Sequence, residues 1–478
     1  MKKLTALLLV LAMVLAMFAA CGSNEAPKTT EAPKAAEEQP TEAQPTEEKA
    51  PEEDTITVLM PPVTGDYIEL LDGWIADFQK DYPHIQVEVI ATSWDDHFNK
   101  LSTMALAGEA PDIAEIPAKN VGVYVDMGVA VNIADYLPAE RLADYDQNAL
   151  DYMTLDNTVY GLPLYLTIQS LGGNKAMLEN AGVKVEEVQK NGWTYEQFLK
   201  AIEAGTTADT FGFVFANAGV CTSDMVDVFG SISGITSNFT DDLKYAYTSE
   251  NMLNLLKAVE TMVSSGFMPD YTVEAGQRLV MLQTGKTMIT GKAMPLFENN
   301  VKKNVAAMAD GSAVEGSIDM EYVFLPVPTM EGVTEHCYGQ VDGLIAMRNK
   351  NTTDEHLKNV CLFLDYLTSG ERVANTVNQL LLACVCESGR QAQAGADLGQ
   401  SPNNAAATTR CIGLVKAPPV GVTSEQAANA MTVMNEVIEP KFQALLAGEL
   451  TAEKMYDEVC SAAFELFGED GCETGFIG

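Results

Sequence analysis

The chain has 478 residues, with 67 Asp and Glu against 29 Lys and Arg, and a formal net charge of −38. So acidic a chain lacks the Lys and Arg needed to neutralise nucleic-acid phosphates, which excludes nucleic acid as a partner, and it disfavours direct docking on anionic lipid. The length exceeds one ordinary domain and calls for two domains or lobes.

Lys2 and Lys3 form a short positive start, and Leu4 to Ala20 is apolar apart from Thr5. That is the layout of a secretory signal peptide, residues 1–20. A permanent anchor helix is the alternative, but the run is at the lower limit for spanning a bilayer. Ala19-Ala20-Cys21 resembles the bacterial lipobox, with Phe18 standing where that pattern usually has Leu. The resemblance implies cleavage before Cys21 and a lipid on its sulfur, so a membrane partner through a lipid anchor. A lipoprotein cysteine supplies the several acyl chains that stable anchoring requires. Residues 21–54 then read as the lipidated cysteine and an acidic tether of Glu, Pro, Thr and Ala, too poor in apolar side chains to fold.

From Thr55 the patterning changes. "TITVLMPP" alternates Ile56, Val58 and Met60 as a strand. "YIELLDGWIADFQKDYP" places Ile68, Leu71, Ile75 and Phe78 on one helical face, stopped at Pro83. "IQVEVIAT" is a second strand, "WDDHFNKLSTMALAGEA" a second helix with Phe98, Leu101, Met104 and Ala105 inward and Gly108 past its end, and "PDIAEI" opens a third strand. Strand–helix–strand–helix–strand reads as a doubly wound α/β lobe.

"FQKDYPHIQVEVI…LSTMALAGEAPDIAEI" closely resembles the start of family 1 extracellular solute-binding proteins, the sugar-type, maltose-binding-like group that serves ABC importers. "GLPLYLTIQSLGGNKAMLENAGV", "GWTYEQFLKAI", "LQTGKTMITG", "YVFLPVPTMEG" and "FQALLAGELTAEKMYDEV" are similar to later motifs of that family, in the same order. The resemblance implies a two-lobed periplasmic-binding-protein-like α/β fold of type II, with discontinuous lobes joined by hinge crossings: 55–165 plus about 340–375, and 166–339 plus about 376–478. The first crossing is expected near Tyr165–Ser170, the second near Tyr338–Gly343, and a third after Leu367–Ser369. It further implies a lipid-anchored, extracytoplasmic monomer that captures a carbohydrate, expected to be an oligosaccharide, and delivers it to a membrane permease.

Ligands of such sheets sit beyond the carboxyl ends of the strands. Asp66 follows the first strand, as a ligand carboxylate or as the cap of the next helix. Trp94 follows the second, its indole face suited to stacking on a pyranose or to packing on its own helix. Asp112 reads as structural. Lys119 and Asn120 resemble positions that reach the family's cleft. Tyr165 and Thr167 fall in the first crossing, and Tyr338, Gln340 and Asp342 in the second, where polar side chains would line the cleft floor. The family often has a Trp soon after the motif at Gly285; here Phe297 is the nearest ring, which leaves the particular sugar open.

His84, His97, His336 and His356 form no metal or catalytic motif, and the carboxylates of "WDD" define no glycosidase pair. No enzyme activity, cofactor or metal is expected. Apart from Cys21 there are eight cysteines, compatible with disulfides or with buried thiols, and Cys384-Val385-Cys386 is not a zinc spacing. The alternatives to a sugar are a peptide, a polyamine or a sugar acid as solute, or an adhesive surface protein.

Overall fold

The computed structural model describes residues 52–218, 221–416, 418–419 and 421–474. The signal peptide, Cys21 and the tether up to residue 51 lie outside the described residues. The last three tether residues of the sequence reading are described, and Asp54 already belongs to the first strand.

The first lobe opens with β1 (Asp54–Met60), α1 (Tyr67–Asp81), β2 (Ile85–Ala91), α2 (Trp94–Leu106), β3 (Ile113–Pro117) and α3 (Val121–Asp126). β1 lies between β2 and β3, parallel to both. Ile56, Val58 and Met60 are fully buried, as the alternation predicts. On α1 the buried face is Tyr67, Leu71, Trp74, Ile75 and Phe78, with Ile68 at its margin. Burying a side chain such as Phe78 contributes roughly 1.5–3 kcal/mol.

α2 departs from its expected face. It buries His97, Leu101 and Ala105, while Phe98 and Met104 stay half-buried. The imidazole is admitted because both ring nitrogens are satisfied: Nδ1 lies 2.8 Å from the Thr92 hydroxyl and Nε2 2.8 Å from the Glu115 carbonyl. Burial lowers its pKa to about 4 and keeps it neutral.

β4 (Gly161–Asn174) is the longest strand and runs through the middle of the molecule. Its first part pairs antiparallel with β8 (Tyr338–Ala346), which in turn pairs antiparallel with β3. Its last part pairs with β6 (Thr287–Ala293) and β7 (Tyr322–Leu325), and β5 (Phe211–Val214) lies parallel to β6. The sheet order is therefore β2-β1-β3-β8-β4-β6-β5, with β7 also on β4. β4 and β8 are shared between the two halves, so a ligand site between the halves must be floored by them.

Helices cover both faces. α4 (Glu250–Ser264), α5 (Ala275–Gln283), α8 (Pro402–Ile412), α9 (Ser424–Val433) and α10 (Ala452–Phe467) serve the second lobe, while α6 (Asp354–Leu367) and α7 (Gly370–Leu380) return to the first. Residues 387–393 also pack on the first lobe: Ser388 donates to Asp144 at 2.6 Å and Arg390 to Asp146 at 2.7 Å. These contacts tie residues 387–393 to the segment of Asp144 and Asp146.

Asp112 is structural. One carboxylate oxygen accepts the Thr57 amide and hydroxyl, each at 2.8 Å, and the other lies 3.0 Å from His356 Nε2.

Candidate functional site

Alternation on two antiparallel strands builds the floor. Side chains at every second residue share a face, and directly opposed residues share the same face. The register sets Asp342 opposite Tyr165, Gln340 opposite Thr167 and Tyr338 opposite Gln169. All of these except Tyr338 line a cavity of about 160 Å³ between the halves. The polar groups are chained along β8. The Tyr338 hydroxyl donates to Gln340 Oε1 at 2.6 Å, and Gln340 Nε2 donates to Asp342 Oδ1 at 2.8 Å. Tyr165 stands directly opposite Asp342, and burial with that neighbouring carboxylate pushes the Tyr165 hydroxyl pKa well up.

Burial raises the pKa of Asp342, opposed by the Gln340 hydrogen bond and by Lys292 and Lys119. Behind it on β3, Glu115 is fully buried and neither carboxyl oxygen has a hydrogen-bond partner. Burial and the neighbouring Asp342 push its pKa well up, which favours the neutral acid.

The first lobe supplies Trp94, Lys119 and Asn120. Ser93 caps α2 by accepting the Asp96 amide at 3.1 Å, which fixes Trp94 as the first helical residue. The indole N–H donates to the Pro62 carbonyl at 3.0 Å, leaving the ring at the cavity wall. Lys119 Nζ crosses to the other lobe, 2.6 Å from Asp227 Oδ2 and 3.3 Å from the Ser223 hydroxyl. Asn120 Oδ1 is buried with no hydrogen-bond partner.

The second lobe supplies Asp224, Arg278, Lys292 and Glu439. Asp224 immediately precedes a π-helical turn (Met225–Phe229), and Glu439 follows another (Met434–Ile438). Such turns occur frequently at functional sites. Lys292, near the end of β6, has a φ of +45°, and its ammonium bonds the Asp224 carboxylate. Arg278 is 5% exposed; its guanidinium donates to the Ala275 and Lys292 carbonyls at 2.6 and 3.3 Å, while Nε has no partner. Burial raises the Glu439 pKa to about 7, with Lys119 opposing and Asp224 reinforcing.

Trp94, Lys119, Asn120, Tyr165, Thr167, Gln340 and Asp342 are thus brought together around one cavity, and three expected residues are not. Asp66 is exposed, its side chain makes no helix-capping hydrogen bond, and its carboxylate accepts from the Thr64 hydroxyl at 3.2 Å. Phe297 is buried at the start of its helix, where its ring faces the Arg278 guanidinium 5.3 Å away and the edge of Tyr322. Tyr338 sits on the floor strand but turns its hydroxyl to Gln340 and packs against the second lobe's core.

Gln169, Ser223, Asp224, Arg278, Lys292 and Glu439 line the cavity and were not anticipated. Gln169 continues the alternation of Tyr165 and Thr167, so period two alone could have found it. The others come from distant segments that only the fold brings together. Among the described residues no cluster of His, Cys, Asp and Glu has a metal-binding arrangement.

The chain matches the bacterial extracellular solute-binding protein family over residues 64–371, and it belongs to that family. A Brucella abortus chain described as a binding protein is 24% identical over 311 residues, 64% of this chain and 69% of the relative. Two solved structures are similar in fold. The maltose-bound MalE3 of Thermotoga maritima has a TM-score of 0.69 and 17% identity, covering 86% of this chain and 100% of that one. The ABC substrate-binding protein of Listeria monocytogenes in complex with cycloalternan has a TM-score of 0.65 and 17% identity, covering 88% and 100%. The fold is that of a two-lobed binding protein.

Proposed function

We propose that this chain captures a carbohydrate in the interlobe cavity and hands it to the transmembrane permease of an ABC importer, held outside the cytoplasm by the lipid on Cys21. The observation that carries the ligand class is the set of unpartnered buried atoms on the cavity wall: Asn120 Oδ1, Gln169 Oε1 and Arg278 Nε. Leaving such groups unpaired costs about 1–3 kcal/mol each. Sugar hydroxyls donate and accept at once, so one polyol satisfies both kinds of group. Trp94 and Met294 add apolar wall for the C–H faces of a ring. The sugars bound by the Thermotoga and Listeria proteins support the same class. The chain's work is binding and delivery, with no chemistry on the ligand.

A cationic solute is the second reading. Asp95, Asp224, Asp342 and Glu439 outnumber Lys119, Arg278 and Lys292 on the cavity wall. Against it, Asp224 is already paired with Lys292, and burial holds Asp342 and Glu439 toward their neutral forms.

Thermal unfolding against a panel of saccharides, amino acids, peptides and polyamines tests this. A ligand of the native state at 100 times its Kd adds about 2.7 kcal/mol. A rise in Tm with saccharides supports the reading; a rise with polyamines or peptides alone replaces the sugar.

A further inference from the structure

The eight cysteines of the described chain are unpaired in this structure, and seven are buried. Two of them meet at a seam that the cavity does not use. Cys337 stands immediately before β8, and Cys411 lies in the last turn of α8. The Cys337 thiol donates to the Gln169 and Tyr338 carbonyls at 3.6 and 3.7 Å, and Cys411 is its neighbour in the same buried cluster. Their backbones are held in the same place. The Cys337 amide donates to the Leu414 carbonyl at 3.0 Å, the Leu414 amide donates to the Cys411 carbonyl at 3.0 Å, and Cys337 forms a β-bridge with Val415.

Both ends of the seam are fastened. Arg410 grips Glu335 with both guanidinium nitrogens, one at 2.8 Å. Gly339 is packed so closely that an added Cβ would sit 2.7 Å from Val415. Cys337 is 4% and Cys411 1% exposed, so neither thiol is available to an external partner once the chain is folded.

We propose that Cys337 and Cys411 form a disulfide in the oxidised protein, fixing the start of the shared strand β8 to α8 of the second lobe. The tied backbones and the shared buried cluster supply the proximity that a disulfide's narrow geometry demands. The oxidant is a small-molecule or protein disulfide of the extracytoplasmic space. One cysteine thiolate attacks that disulfide, giving a mixed disulfide and releasing one thiol. The second thiolate then displaces the remaining oxidant sulfur. One S–S bond forms and one breaks, the two cysteines are oxidised, the oxidant is reduced, and the two cysteine protons leave on the two released thiols. The neighbouring Cys411 thiol and burial both push the Cys337 thiol well up, so the reaction belongs to the folding chain, before the seam closes.

The test refolds the reduced, denatured full chain with glutathione disulfide, blocks free thiols under denaturing conditions, and maps the peptides before and after reduction. No ligand enters the measurement, so it stands apart from the sugar reading. The expected result is a Cys337–Cys411 peptide pair that separates on reduction. In parallel, reductant lowers the Tm of the native-sequence protein and leaves that of a Cys337→Ser/Cys411→Ser double variant unchanged. Finding both cysteines blocked without prior reduction, or either one joined to a different cysteine, overturns the proposal. So does an equal loss of Tm on reduction in the double variant.

Discussion

Lys119, on the cavity wall, joins the first lobe to Asp227 of the second, with the ammonium 2.6 Å from the carboxylate. Lys119 follows β3, while Asp227 lies in a π-helical turn and also accepts from the Tyr247 hydroxyl at 2.5 Å. Burial disfavours the charged lysine, yet Asp227 and Asp224 outweigh it and the Lys119 pKa is raised. The pair forms only when the lobes are together, so it stabilises the closed arrangement. Lys119→Ala is expected to enlarge the radius of gyration of the ligand-free protein in small-angle scattering. It should also weaken ligand binding about tenfold, or ~1.4 kcal/mol. An unchanged radius together with unchanged affinity would remove the latch from the account.

A second interlobe contact is steric. A Cβ at Gly122 on α3 would stand 2.5 Å from the Ala427 Cβ on α9. Under 3 Å between these short, stiff groups, the helices must separate. Gly122→Val is expected to preserve the circular dichroism spectrum while opening the cleft and weakening binding at least about tenfold. Ligand affinity equal to that of the native sequence would show that closure does not bring α3 and α9 this close.

The floor offers a sharper test of the ligand's chemistry. Gln169 Oε1 has no partner within the protein. Gln169→Leu removes that orphan acceptor at similar volume, so the free protein should be as stable or more stable by Tm. Ligand affinity should nevertheless fall by about 1–3 kcal/mol in a calorimetric titration, because a bound hydroxyl loses its acceptor. Equal affinity in the variant would mean that the ligand does not reach Gln169.

Two groups contribute pH dependence of stability in adjacent windows. The His356 pKa is raised to about 9, first by the hydrogen bond to Asp112, with Asp54 adding to it against the effect of burial. A raised histidine stabilises fully below its unfolded value near 6.5, and that contribution is lost as pH rises through about 9. His356→Gln should lower stability by about 2 kcal/mol at pH 6 and much less at pH 9.5. Glu439 is raised to about 7 by burial, so its native carboxyl holds a proton that the unfolded chain has released. Stability therefore falls as pH rises from about 4.5 to about 7, and Glu439→Gln should flatten that slope in denaturant titrations.

The first lobe was largely readable because its signals are local. Ile56, Val58 and Met60 alternate, Pro83 ends α1, and Gly108 takes the positive φ of a helix end. α2 was misjudged in its inward face because His97 is buried by partners at Thr92 and Glu115, and the Glu115 contact is invisible along the helix. In the site, the crossings carried their own evidence, since polar residues at every second position of "YLTIQ" and, Tyr338 apart, of "YGQVD" face one cavity. Asp66 lies off the cavity wall, and a loop acid after a strand reads equally as a surface residue. Arg278, Asp224 and Glu439 could not be found, since their role depends on three distant helical segments meeting. Lys292 carried a weak signal in the "TGKAM" turn, but its positive φ and its pairing with Asp224 exist only in the fold.

The central claim is that a carbohydrate fills the cavity floored by β4 and β8. The most direct measurement is calorimetric titration of the full chain with neutral oligosaccharides, repeated with Gln340→Ala. Gln340 organises the floor by bonding both Tyr338 and Asp342. The account predicts saturable one-site binding of a saccharide to the native sequence, weakened at least about tenfold in the variant. Binding of a polyamine or peptide with no saccharide response, or a saccharide bound equally well by the variant, would contradict it.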